Sequence, residues 1–392
     1  MRFLLGIVLL TLTVALLFSC SRIFPVKSPP LIFKAFSLWA MGDSHVHTEK
    51  RNGYRSLEES FSDSLKGGDE GGESFKWDIV VNTGDFMGGQ GCPTDDHGTA
   101  ITEQYEVQGF DPNRMYSVIG NHDSNELDAS WFNTWIDPFG MNSGNSRIFK
   151  ERRPFPVTGE WDHYSFEVGN ILFLMLGDRN FGGPPFGREC NGGFPSGRYS
   201  NKTFDWWVKH IEENPDKIIF TVAHHALYDT TIYTGFGEAA ERGVHGGITW
   251  ADKRGSSFIY AIGNWTIDGY NEKQEFIGLP PFGFRKYLTE HPGVIDFWIH
   301  GHTHYGLFPG KEYHGRTDVE LVDGVWFINA GALAKFHGAP DVPFSRLLEF
   351  ELGKKTVRMK TYLHMAGWNG NPEGFYQPAE RVFNLDKVFQ PQ

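Results

Sequence analysis

Seven polar side chains in this 392-residue chain share one local context, each closing a short apolar run. Asp43 and His45 follow the run Phe36–Met41, and Asp85 follows Asp78–Asn82. Asn121 follows Met115–Ile119, and His224 follows Ile218–Ala223. His302 and His304 follow Val294–Ile299. The donors are oxygen and nitrogen only: two carboxylates, one amide oxygen and four imidazoles. Such a mixture suits borderline divalent cations such as Zn, Mn or Fe. Seven donors exceed one tetrahedral shell but suit two ions sharing a carboxylate. The competing reading, seven unrelated turn residues, needs Asp, Asn and His to end that many buried strands by coincidence.

The elements that must position these side chains follow from the runs themselves. Continuous apolar stretches bounded by Gly turns read as strands buried on both faces. Ile171–Leu176, running into Gly177-Asp178-Arg179-Asn180, is another. Helical signals lie between them. Ser56-Leu57-Glu58-Glu59 reads as a capping box, followed by Phe61 and Leu65 and stopped by Gly67. Thr203 is placed to cap a helix with Phe204, Trp207, Val208 and Ile211 on one face, ended by Asn214-Pro215. Phe284–Leu288, stopped by His291-Pro292-Gly293, is a further helix. Strands alternating with helices predict an α/β layered fold. Val325–Asn329, Arg346–Leu352 and Thr356–Tyr362 are strands in series, so the sheets are mixed. Gly/Pro loops at 67–72, 88–98, 181–197, 278–284 and 309–316 are expected to build a pocket rim beyond the strand ends. Residues 36–392 read as one domain.

Asp43-x-His45, Gly84-Asp85, Gly120-Asn121-His122-Asp123, Ala223-His224-His225 and Gly301-His302-x-His304 stand in a recognisable order. From about residue 40 to 332, including the strand end Ile328-Asn329-Ala330-Gly331, the chain resembles the calcineurin-like metallophosphoesterase family. The resemblance implies an α/β/β/α sandwich of two mixed sheets and two divalent metal ions. One ion would be held by Asp43, His45, Asp85 and His304. The other would be held by Asp85, Asn121, His224 and His302, with Asp85 bridging. His224 is taken over His225 because the family places the ligand just before a Pro-Leu-Tyr type segment. That segment here reads His225-Ala226-Leu227-Tyr228, without the proline, so His225 stays the alternative. The implied reaction is hydrolysis of phosphomonoesters or phosphodiesters by a metal-bridging hydroxide. His122 would be the general acid and Asp123 would orient its imidazole. His225 and Arg179 are candidate substrate contacts; for Arg179 an ion pair with Asp178 competes with a phosphate clamp. His47 and His300 read as structural. Purple acid phosphatases carry a tyrosine ligand where this chain has Gly88, so a ferric tyrosinate centre is not expected.

Charge agrees with this chemistry. The formal net charge is −12 with no basic stripe, which excludes a surface that coats nucleic acid. A phosphate-ester substrate therefore needs local positive charge. Two divalent ions, two carboxylates and a hydroxide leave about +1 at such a site. The 34 Phe and 12 Trp among 47 Gly and 21 Pro point to loops held down by rings. Phe181, Phe186, Phe194, Tyr233, Phe236 and Trp265 are read as loop anchors before stacking surfaces.

At the N-terminus, Arg2 precedes an uncharged stretch from Phe3 to Phe18 that ends in Ser19-Cys20. It is short of the roughly 20 residues that span a bilayer and fits a signal-peptide core. Leu17-Phe18-Ser19-Cys20 resembles a lipobox. Residues 1–20 are therefore read as a signal peptide, 21–35 as a spacer, and the body as extracytoplasmic and membrane-tethered by a lipid or an N-terminal anchor. Cys92 and Cys190, both in Gly/Pro loops, could form a disulfide in an oxidising compartment, the alternative being two unpaired thiols. Two rival functions remain. An amidohydrolase or PHP-type metal hydrolase would use His47 as a ligand and spare Asn121. A catalytically inactive extracytoplasmic binding protein would keep the scaffold alone.

Overall fold

The computed structural model describes residues 34–48, 55–88, 91–123, 129–177, 199, 201–227, 229–232, 234, 283–304, 307, 316–334 and 342–390. The residues expected to form a signal peptide, the expected spacer up to residue 33, Cys20, Arg179, Cys190 and the six rim aromatics lie outside the described residues. Among the described residues no helix is long and apolar enough to cross a membrane.

Among the described residues, two seven-stranded sheets form the frame. In the first, β1 (Ala35–Met41), β2 (Ile79–Asn82) and β3 (Met115–Ser117) run parallel. Antiparallel strands extend it: β11 (Phe344–Glu351) beside β1, then β12 (Thr356–Leu363), which also pairs β13 (Gly374–Phe375) and β14 (Arg381–Asn384). The second sheet has a parallel centre of β6 (Ile171–Leu176), β7 (Ile218–Ala223), β8 (Phe297–His300) and β10 (Val325–Asn329). β4 (Thr158–Glu160) and β5 (His163–Val168) flank one side of it and β9 (Val319–Val322) the other, all antiparallel.

The two-residue strand period sorts each run between two cores. On β1, Phe36, Leu38 and Ala40 enter the core between the sheets. Trp39 and Met41 face outward, where Leu57 and Phe61 of α1 (Ser56–Lys66) and Ile101 of α2 (Asp95–Glu103) pack on them. On β6, Ile171, Phe173 and Met175 face inward. Leu172, Leu174 and Leu176 meet Trp207 and Ile211 of α5 (Asn201–Glu212), with Phe284 and Leu288 of α6 (Phe284–Glu290) in the same cluster. The short helices α3 (Ser130–Trp135) and α4 (Ser143–Ser146) lie between β3 and β4. The result is the expected α/β/β/α sandwich of two mixed sheets.

Phenylalanine holds the inner faces together. Tyr116, Phe166, Phe173, Phe220 and Phe297 form a ladder of near-parallel rings, with successive centroids 3.9, 4.6, 5.1 and 4.4 Å apart. Three of these contacts are directly opposed strand pairs. Such aromatic pairs add about 0.5–1.5 kcal/mol each beyond burial. Much of the Phe excess is thus inter-sheet core.

The capping box expected at Ser56 is not formed. Ser56 Oγ donates to Ser44 O at 2.6 Å, and the first-turn amides of Leu57 and Glu58 donate to Gln104 Oε1 at 3.0 and 3.2 Å. A distant amide caps the helix because the local serine is committed to the Asp43–His45 loop. α2 occupies part of the segment expected to be loop, and α5 begins at Asn201, before Thr203.

Candidate metal centre

The parallel strands deliver their C-terminal ends to one edge. Past β1 and β2 the ladder continues through loops: Asp43 N donates to Gly84 O at 2.9 Å, His45 N to Asp85 O at 3.1 Å and Val46 N to Phe86 O at 2.7 Å. β2 is turned out by its own last side chain, since Asn82 Oδ1 accepts from Gly84 N at 2.8 Å. In the second sheet Asn329 Oδ1 accepts likewise from Gly331 N at 2.9 Å. These Asx turns end a strand and aim the next residues sideways.

The backbone at the site is strained. Asp43, His45, Asp85, His302 and His304 all have φ between 44° and 65°. Left-handed non-glycine residues cost of order 1–3 kcal/mol each and cluster where function over-determines them.

Two donor groups result. In the first, His45 Nε2 and His304 Nε2 lie 2.8 Å apart, and His304 Nε2 is 3.0 Å from Asp43 Oδ1. His45 Nε2 is 3.8 Å from both Asp43 Oδ1 and Asp85 Oδ2. In the second, His224 Nε2 is 2.9 Å from Asn121 Oδ1, 3.1 Å from His302 Nδ1 and 3.2 Å from Asp85 Oδ2. All seven side chains are buried. Atoms that each sit about 2.0–2.2 Å from one cation lie about 3–3.5 Å from each other. Most of the spacings fall near that range, and the two imidazole nitrogens that meet at 2.8 Å face one point. The donors fit a metal in each group.

Outer contacts fix the inner ones. His224 Nδ1 donates to Thr83 O at 2.8 Å, which leaves Nε2 as the lone-pair nitrogen. His302 N donates to both Asp43 oxygens at 3.1 and 3.0 Å, and His122 N to Asp85 Oδ1 at 2.9 Å. A Cβ on Gly120 would overlap Asp85 Oδ1, and one on Gly301 would overlap Asp43 Oδ2, so both glycines are required by close approach. Burial alone would raise the Asp85 carboxyl. The imidazoles of His224, His122 and His45 outweigh it and hold Asp85 well below the usual range.

The His122 ring is fully buried, its Nε2 3.9 Å from Asp85 Oδ2 and its face edge-on to His45 at 4.9 Å. Asp123 requires a correction. Its carboxylate does not orient that imidazole. Oδ1 accepts from Phe86 N and Met87 N at 2.8 and 3.1 Å, and Oδ2 from Asp85 N and Gly120 N at 2.8 and 2.9 Å. Burial and the neighbouring Asp85 charge push Asp123 up to about 7.

His225 is buried with its ring 4.0 Å from that of His302, and it shares a donor group with His224 and His302. It is His224 that faces Asn121 and Asp85. His47 turns outward: its Nε2 lies 3.4 Å from Asp96 O and its ring 4.5 Å from that of His97. His300 is buried against Thr231 Oγ1 at 2.9 Å, and burial lowers its imidazole to about 4. Cys92 is disulfide-bonded. Sequence reasoning missed Thr83 and Gln104, because a backbone carbonyl and a distant cap leave no motif.

A model of the calcineurin-like phosphoesterase family matches residues 36–306. The chain belongs to this family. None of the curated proteins matches it. Among solved structures, the calcineurin-like phosphoesterase chain is similar to GAP50 of Plasmodium, described as the anchor in the inner membrane complex. That pair is 11% identical, with 91% of this chain and 90% of that one covered and a TM-score of 0.43. A conserved uncharacterized protein of Streptococcus pneumoniae TIGR4, titled a predicted phosphoesterase, is 10% identical, with 90% and 99% covered and a TM-score of 0.33. A single mutant of Vps29 from Entamoeba histolytica is 12% identical, with 90% and 100% covered and a TM-score of 0.33. As a member of this family, the calcineurin-like phosphoesterase described here has a buried Asp/His cluster able to hold metal at its strand ends.

Proposed function

We propose that this chain is a dinuclear metal-dependent phosphoesterase acting on phosphomonoesters or phosphodiesters. Asp43, His45, Asp85 and His304 hold one divalent cation, and Asp85, Asn121, His224 and His302 hold the second. One observation carries the reading: Asp85 Oδ2 lies between the groups, 3.8 Å from His45 Nε2 and 3.2 Å from His224 Nε2. Family membership supports the reaction class. Bound there, the cations supply Lewis acidity and make a water acidic enough to attack near neutral pH.

The chain's own residues do the rest. With only two carboxylates among seven ligands, the loaded site stays positive and draws a phosphate ester despite the net charge of −12. His122, held against the shared carboxylate, donates a proton to the leaving oxygen, worth ~10²–10⁴ in rate. His225, packed on the His302 ring, faces the substrate side or steadies that ring.

Metal-stripped protein reloaded with Zn²⁺ or Mn²⁺ and offered a panel of mono- and diesters tests this. Asp85→Asn should lose both bound metal and hydrolysis. His122→Ala should keep the metal and lose about 10²–10⁴ in kcat. Full activity and metal content in Asp85→Asn would refute the ligand assignment. Loaded wild type that hydrolyses nothing would favour the binding-protein reading.

A further inference from the structure

We propose that Arg346, Asp318, Asn329 and Thr303 form a bolt between the sheets that sets the spacing of His302 and His304, making Thr303 and Arg346 positioning residues for metal binding. The inference rests on the metal reading above. Arg346 lies on β11, in the first sheet, and is fully buried. Its Nε donates to Asn329 O at 3.2 Å, its Nη2 to Asp318 Oδ2 and its Nη1 to Thr361 Oγ1. Asp318 precedes β9 and Asn329 ends β10, so a cation from one sheet closes on two strands of the other. A buried guanidinium without an anion is strongly disfavoured; Asp318 compensates it, and the planar fork serves three directions at once.

Asn329 passes the constraint on. Its N donates to Asp318 O at 3.0 Å, and its Nδ2 donates to Thr303 Oγ1 at 2.6 Å. Thr303 stands between the two imidazole residues, whose backbones are both left-handed, with φ 65° and 56°. Its own N closes on Gly301 O at 2.8 Å. The loop is therefore gripped twice from its side: through His302 N on Asp43 and through the Thr303 hydroxyl on Asn329. Strained conformations persist only where neighbours over-determine them, and the hydroxyl is the side-chain half of that grip. Arg346, Asp318 and Asn329 all lie beyond the family-matched residues 36–306.

Calorimetric titration of Zn²⁺ into the metal-stripped full chain tests the bolt. Thr303→Val keeps the branched shape and removes the acceptor; Zn²⁺ affinity should fall about 10–100-fold, the cost typical of losing an outer contact to a metal ligand. Thr303→Ser, which keeps the hydroxyl, should restore it. Arg346→Lys keeps the charge but loses the fork. Its effect on affinity should combine less than additively with Thr303→Val, because both act through Asn329. Wild-type affinity in Thr303→Val overturns the bolt, and strictly additive effects remove Arg346 from it. Wild-type protein that binds no Zn²⁺ overturns the metal reading instead. If Arg346→Lys fails to fold, the two Thr303 variants decide alone.

Discussion

His122 and Asp123 are neighbours in sequence with divergent uses in the fold. The imidazole turns toward Asp85, while the carboxylate ties down four backbone N–H groups, three in the turn that presents Asp85 and the fourth at Gly120 in its own turn. A carboxylate is suited to this because it offers about four acceptor sites and no donor. Asp123→Asn would set an amide N–H₂ against two backbone donors, with a buried-donor penalty of 1–3 kcal/mol for each mismatch. We expect a loss of about 2–6 kcal/mol in chemical denaturation and weaker metal retention. The pH limb of kcat due to His122 should stay in place. A displaced limb would restore Asp123 as the partner of the imidazole.

At the scale of elements, β8 ends in a histidine that the chemistry does not use. His300 is neutral in the fold, its pKa lowered to about 4 from 6.5 by burial. Between those values the unfolded chain binds more protons than the folded one. Stability is thus fully present above pH 6.5 and is lost as pH falls through 4, by up to about 3 kcal/mol. His300→Gln, which hydrogen-bonds without titrating, should flatten urea-denaturation stability across that window relative to wild type. Parallel losses in both proteins would contradict this. The legibility of elements followed their hydrophobicity. β6, β7 and β10 match the apolar runs residue for residue. β4 was invisible because its three residues are all exposed, and α2 was hidden in a Gly-containing segment whose cap is a Thr94–His97 box. The alternation of Tyr164, Phe166 and Val168 on β5 was the signal available and passed over.

Across the whole molecule, the seven donors come from both sheets: Asp43, His45, Asp85 and Asn121 follow strands of the first, and His224, His302 and His304 follow strands of the second. A cation shared by both sets links the sheets at their open edge. Metal binding should therefore raise global stability. A site at 100 times its Kd adds about 2.7 kcal/mol, so Zn²⁺ should lift the Tm by a few degrees, and a chelator should reverse the shift. Asp85→Asn should show no such response. A Tm indifferent to Zn²⁺ in the wild type would mean that the donors do not bind it in the folded state.

Residue types and spacing marked out the seven side chains proposed to hold metal, because each follows an apolar run that reads as a buried strand, and strand ends are where such a fold exposes polar groups; the choice of His224 over His225 came from the family resemblance. They also determined the layering, since a run apolar at every position must be covered on both faces. Tertiary structure decided what sequence could not carry: that Gln104 caps α1, that Thr83 orients His224, that Asp123 serves the backbone and that Arg346 reaches across to Asn329. Each joins atoms distant in the chain, or uses a backbone group common to every residue, and neither kind of contact leaves a local pattern to read.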